Sequence, residues 1–159
     1  MLRIMIAVDG SALALDAVHH ALELVRRGGL RALLVLGHVQ EEATLLELAT
    51  QGADAVATAS VEAGQHLLAG AVALVQAAGV PYETELGLGP VAATLVDMVE
   101  RCGCDALIVG ARGLGGLRGA LLGSVSQQLV QLSPVPVTVV KHAEADAAEL
   151  NAQDAAGQP

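Results

Sequence analysis

The chain of 159 residues has no phenylalanine, no tryptophan and a single tyrosine, Tyr82. A core must therefore be filled by Ala, Val and Leu. With 53 % hydrophobic residues there is ample material for it. The same lack removes the aromatic platforms on which nucleic-acid bases stack. Positive charge is scarce too: eight Lys and Arg stand against seventeen Asp and Glu, for a formal net charge of −9. That balance makes the chain a poor candidate for binding a phosphate backbone or an anionic membrane, and it reads as a device for solubility. No apolar run reaches the roughly 18 to 20 residues that a membrane span needs. The first residues, "MLRIMIAVDGS", are briefly apolar, but an acid follows at once and no signal-type cleavage site appears. A cytoplasmic protein is expected.

Cysteine is limited to Cys102 and Cys104. A disulfide across C-x-C would be strained, and two thiols are too few for a tetrahedral zinc site. They read as reduced thiols at a helix end. His19, His20, His66 and His142 share no metal-ligand spacing beyond the adjacent pair and read as surface or helix residues. No metal site and no catalytic residue is predicted.

What is present is an alternation. "LRIMIAV" (Leu2 to Val8) is a short apolar run ending at Asp9-Gly10-Ser11, so it reads as a buried strand. From Ser11, a plausible N-cap, apolar residues recur at helical spacing until Gly28-Gly29. "RALLVLGHV" (Arg31 to Val39) is a second strand. The Ala-rich segment after it reads as a variable connection with some helix, followed by a long helix over about 55–78. "YETEL" (Tyr82 to Leu86) alternates and predicts an edge strand. Gly89-Pro90 opens the next helix, with proline at its first position, and it runs to about Cys102. "DALIVG" (Asp105 to Gly110), a helix over Ser124 to Leu132, and "PVPVTVVK" (Pro134 to Lys141) complete a β-α-β-α-β-α-β-α-β order. Short apolar strands separated by helices predict an α/β fold: one domain over 1–141, with a parallel sheet and helices on both faces. Residues 142–159 lack a core stripe and read as an acidic C-terminal tail.

In such sheets ligands bind beyond the carboxyl ends of the strands. Three ends draw attention: Ala7-Val8-Asp9, His38-Val39 and Val109-Gly110. The last runs into "GARGLGGLRGALLGS", with six glycines in fifteen residues. Its exit, Gly123-Ser124-Val125-Ser126, begins a helix, where N–H groups and a positive dipole end suit phosphate. Taken alone, the stretch reads equally as a long loop with a serine N-cap. The Walker pattern is absent, and Lys141, the one lysine, lies after the last strand. The dinucleotide pattern G-x-G-x-x-G is absent as well. Asp9 reads as a ligand residue or as the cap of the turn before Ser11. Arg112 and Arg118 read as solvated loop charges, with phosphate contact as the alternative. His38 reads as a core histidine or one lying behind the site.

The spacing Gly110-x2-Gly113-x9-Gly123-Ser124, together with "AVDGS", "GHV", "DALIVGARG" and "LLGSVSQQLVQLSPVPVTVVK", resembles the universal stress protein family in its nucleotide-binding branch. The resemblance implies a Rossmann-like sheet of five parallel strands in order 3-2-1-4-5, with ATP at the strand ends. By position, the backbone of Ala7 and Val39 flanks the adenine. Asp9 lies near the base or ribose, or orients metal-bound phosphates. Val8 and Val109 belong to the same strand ends. Gly110 and Gly113 admit ribose and phosphates, while Gly123, Ser124, Val125 and Ser126 cradle the phosphates. Mg²⁺ would be held mainly by phosphate oxygens and water.

The expected function is an adenine-nucleotide-binding stress protein, a module or switch. The alternatives are a slow ATPase or phosphotransferase, or an interaction protein of the same fold without nucleotide. No paired carboxylates, nucleophile–His pair or P-loop lysine supports fast phosphoryl transfer. The last strand, Val135 to Val140, would leave an open edge, and both that edge and the resemblance predict a homodimer through it.

Overall fold

The computed structural model describes residues 1–43, 45–112 and 122–141, with Leu45 and Leu46 described by their backbone alone. Gly113, Arg118, the glycines at 115, 116 and 119, and the tail 142–159 lie outside the described residues.

The chain runs β1 (Leu2–Ala7), α1 (Ala12–Gly28), β2 (Ala32–Gln40), α2 (Leu45–Gln51), α3 (Ala53–Ala77), β3 (Tyr82–Leu88), α4 (Val91–Arg101), β4 (Ala106–Gly110), α5 (Ser124–Leu132) and β5 (Val137–Val140). All strand pairs are parallel, and the sheet order is β3-β2-β1-β4-β5. The expected order and the edge position of β3 are both observed.

The alternation of side chains along β1 divides the core into two layers. Ile4, Ile6 and Val8 face α1 and α3, where Ala17, Val18, Ala21, Leu68 and Val75 are buried against them. Met5 faces the other way, toward α4 and α5, with Leu95, Met98, Val99 and Leu129. A strand between two helical layers has no polar face, and this explains the continuous apolar runs of β1 and β2.

Helix ends follow local chemistry. Ser11 caps α1 by accepting a hydrogen bond from Ala14 N at 3.1 Å. Gly29 closes it in the left-handed region at φ 59°. Pro90 corrects one expectation. It is the N-cap of α4 in extended conformation (φ −60°, ψ 122°), one place before the first helical residue. Its fixed φ suits either place; its ψ is extended, and its carbonyl accepts the first helical bond, from Thr94 N at 2.9 Å. The Ala-rich connection after β2 resolves into α2 and the start of α3.

Candidate functional site

The chain winds from β1 outward through β2 to β3, then crosses back to β4 and β5. The reversal places the carboxyl ends of β1 and β4 side by side, where a crevice opens in sheets of this kind. A cavity of about 1090 Å³ lies there. It is walled by the ends of β1, β2 and β4, by the start of α5, and by one side of α3.

Ten of the site residues expected from sequence line this single cavity: Ala7, Val8, Asp9, Val39, Val109, Gly110, Gly123, Ser124, Val125 and Ser126. Gly113, the eleventh, lies outside the described residues. They converge because Val8 N donates to Gly37 O at 2.8 Å, which holds the end of β1 to β2. On the other side, Ala111 O accepts from Gly123 N at 2.7 Å and from the Ser126 hydroxyl at 3.0 Å. These two bonds fasten the start of α5 beside the end of β4.

Helix α5 spans Ser124–Leu132, as expected, and the alternative of a serine N-cap is not what is observed. Its N-cap is Gly123, which has no side chain to cap with, so Ser124 is the first helical residue. The first intrahelical bond is Gln127 N to Gly123 O at 3.1 Å, and the N–H groups of Ser124, Val125 and Ser126 precede it. Such a start favours an anion. Ser126 departs from its expected role as a hydroxyl donor to phosphate. It is 2 % exposed, and its hydroxyl is directed at Ala111 O and, at 2.9 Å, Gly123 O. It therefore builds the helix start, and its backbone N–H is what remains to offer a ligand. Gly110 and Gly123 keep φ outside the left-handed region. At Gly110 the need is for space: a Cβ would stand 3.2 Å from Arg112 O and 3.4 Å from Leu13 O.

Asp9 caps the turn before Ser11 and also lines the cavity. Its Oδ1 accepts from Ser11 N at 2.9 Å and from the Ser11 hydroxyl at 2.5 Å. The turn passes through Gly10 at φ 82°, with Leu67 packed where a Cβ would go. His38 is 6 % exposed, and its Nδ1 lies 2.7 Å from Val8 O.

Charge is distributed unevenly. Glu41 and Glu42 follow β2 and Glu47 lies on α2, whereas Arg112 and the start of α5 lie beyond β4. In sheet order β1 lies between these two groups. The cavity thus has an anion-accepting end and an acceptor-rich end, which fits a ligand carrying phosphate at one end and N–H or O–H donors at the other. An adenosine phosphate has this polarity, and the volume accommodates one.

The model of the universal stress protein family matches residues 1–141. The chain belongs to the universal stress protein family. Universal stress protein YxiE of Bacillus subtilis (strain 168) is 29 % identical over 147 residues, covering 87 % of this chain and 98 % of that protein. The solved structure of MJ0577 shares the fold, with a TM-score of 0.76 at 23 % identity over 89 % of this chain and 96 % of the other. A universal stress protein family protein from Arabidopsis thaliana, At3g01520, solved with AMP bound, has a TM-score of 0.63 at 25 % identity, covering 91 % and 94 %.

Sequence reasoning missed one wall of the cavity in this universal stress protein. Val56, Ala59, Ser60, Ala63 and Leu67 of α3 line it. Their spacing of three and four residues marks one helix face. That stripe was the available signal, but its small residues do not read as a core face.

Proposed function

We propose that this universal stress protein binds an adenine nucleotide, ATP in particular, in the cavity at the strand ends, and works as a binding module or switch. The observation that carries the reading is the convergence of the uncapped start of α5 with the ends of β1, β2 and β4 around one space. The bound AMP of At3g01520 supports the choice of an adenine nucleotide. In this reading the backbone of Ala7 and Val39 flanks the base and Asp9 lies near base or ribose. Gly110 and the first turn of α5, with the Ser124 hydroxyl, receive ribose and phosphates. Among the described residues no cluster of three or more His, Cys, Asp or Glu side chains could hold a metal ion. Magnesium arriving with a triphosphate would therefore be held by phosphate oxygens and water, with Asp9 in the same cavity.

The chemistry of the lining supports binding over turnover. Its described residues include no lysine, and its histidine contacts a backbone oxygen, not a hydroxyl. At most a weak ATPase is expected.

Mass spectrometry of ligand released from natively purified protein, with calorimetry using ATP, ADP and AMP, tests the reading. Recovery of an adenine nucleotide, or saturable binding of one, is expected. The absence of both a retained nucleotide and a thermal shift with any of the three would overturn it.

We also infer a two-fold homodimer through the edge strand β5. The support is its place at the end of the sheet, where among the described residues one row of its backbone groups has no neighbouring strand.

A further inference from the structure

One buried polar atom among the described residues has no hydrogen-bond partner: Nε2 of His38. Its ring is fixed from the other side. Val8 O can only accept, so the Nδ1 that lies 2.7 Å from it carries the proton. In the neutral ring Nε2 is then a lone-pair acceptor. A buried acceptor without a donor is destabilising and persists where something else supplies the donor. His38 is also a wall of the cavity, at its acceptor-rich side, one residue before Val39. Gly64 of α3 lies beside the ring. A Cβ at Gly64 would stand 3.6 Å from His38 Cδ2, and Ser60, one turn earlier, lines the cavity.

We propose that His38 is a ligand-reading residue: Nε2 accepts a hydrogen bond from an N–H or O–H donor of the bound nucleotide, and the turn Ser60 to Gly64 adjusts as the donor reaches it. This rests on the reading of the cavity as a nucleotide site. It gives that site a side-chain contact that can distinguish ligands by their donors, where backbone contacts to the base distinguish them less. Val8 O holds the ring on β2, so the acceptor is presented in one orientation.

The test uses AMP and the full chain. Nitrogen-15 spectra of the histidine rings report the tautomer and the hydrogen bonding of Nε2 directly. In the free protein, the proton should sit on His38 Nδ1 and Nε2 should give the signal of an acceptor without a donor. Saturation with AMP should shift Nε2 toward a hydrogen-bonded value. His38→Asn keeps a donor for Val8 O but has nothing at the Nε2 position, and should weaken AMP about tenfold, the loss of roughly one hydrogen bond. His38→Gln reaches the Nε2 position and should recover most of that loss. If AMP binds and Nε2 does not move, or if Nε2 is already hydrogen-bonded without AMP, through a trapped water or Ser60, the proposal is overturned while the nucleotide site stands. If AMP, ADP and ATP all fail to bind the unaltered protein, both readings fall together. Should either variant not fold, the spectra of the unaltered protein still decide.

Discussion

Asp9 and Ser11 share one carboxylate oxygen: Asp9 Oδ1 accepts both the N–H and the hydroxyl of Ser11, and Ser11 Oγ in turn accepts from Ala14 N. The chain links the end of β1 to the start of α1. Asp9→Ala should therefore cost about 1–3 kcal/mol in urea denaturation, because it leaves the Ser11 N–H without this acceptor. Asp9→Asn, which keeps an acceptor oxygen, should cost less than half as much. Equal losses from both would show that charge, and not the hydrogen bonds, governs the turn.

Ser124 and Ser126 should behave oppositely. Ser124 is the first residue of α5 and not its cap, so Ser124→Ala should leave the melting temperature nearly unchanged and weaken ATP by about threefold to tenfold in calorimetry. The Ser126 hydroxyl donates to two backbone oxygens in a buried place. Ser126→Ala should lower stability by about 1–2 kcal/mol, with any effect on affinity following from a loosened helix start. A stable Ser126→Ala protein with lost affinity would return that hydroxyl to the phosphates.

Gly87 separates stability from binding. A Cβ there would stand 2.6 Å from Thr94 Cγ2 and 2.9 Å from Met98 Sδ, in the packing of β3 against α4. Gly87→Ala should destabilise by about 1–3 kcal/mol through overpacking, with nucleotide affinity preserved in the folded fraction. Denaturation and calorimetry on the same sample check both parts.

Burial, and secondarily the neighbouring Cys102, pushes the Cys104 thiol up from 9.0 to about 11. The unfolded chain loses this proton near the ordinary value and the folded chain only near 11. The contribution to stability is therefore full below pH 9 and is lost as pH rises through 11. Cys104→Ala should flatten the fall in unfolding free energy over that window. The thiol should also resist alkylation at pH 8 until the protein unfolds. Fast labelling of the native protein would contradict the assignment.

If β5 pairs with its copy, a chain ending at Lys141 should remain a dimer in light scattering. A truncated chain that runs as a monomer would assign the interface to residues 142–159 instead.

Most of the fold is legible from β1, β2 and β4 alone. A strand covered on both faces must be apolar throughout, and Gly10, Gly29 and Gly79 mark the breaks by their positive φ. The site is legible where close packing leaves little room for a side chain, as at Gly110. Side-chain duties are less so. A serine reads alike whether its hydroxyl serves a ligand, as proposed for Ser124, or the backbone, as in Ser126. The helix of α3 was expected, but the part its first half plays as a cavity wall was not, because that half faces the cavity and solvent. Its buried residues, Gly64, Leu68, Ala71 and Val75, start only midway, and the stripe of small residues on the earlier turns does not read as a core face. His38 stayed ambiguous because its meaning lies in Val8 O, a backbone atom thirty positions away.

The far end of the sheet is held by Arg3. Its N–H bonds Asp105, its Nε bonds Cys102 O, and its guanidinium pairs with Glu83 at 2.7 Å. Because every strand is parallel, all five begin at that fastened end, and Met1 is exposed there. The six residues of β1 set roughly 20 Å between Met1 and the cavity. A fluorophore or affinity handle joined at Met1 would thus lie away from the proposed nucleotide site, whereas one joined directly after Lys141 would emerge at the cavity end of the sheet.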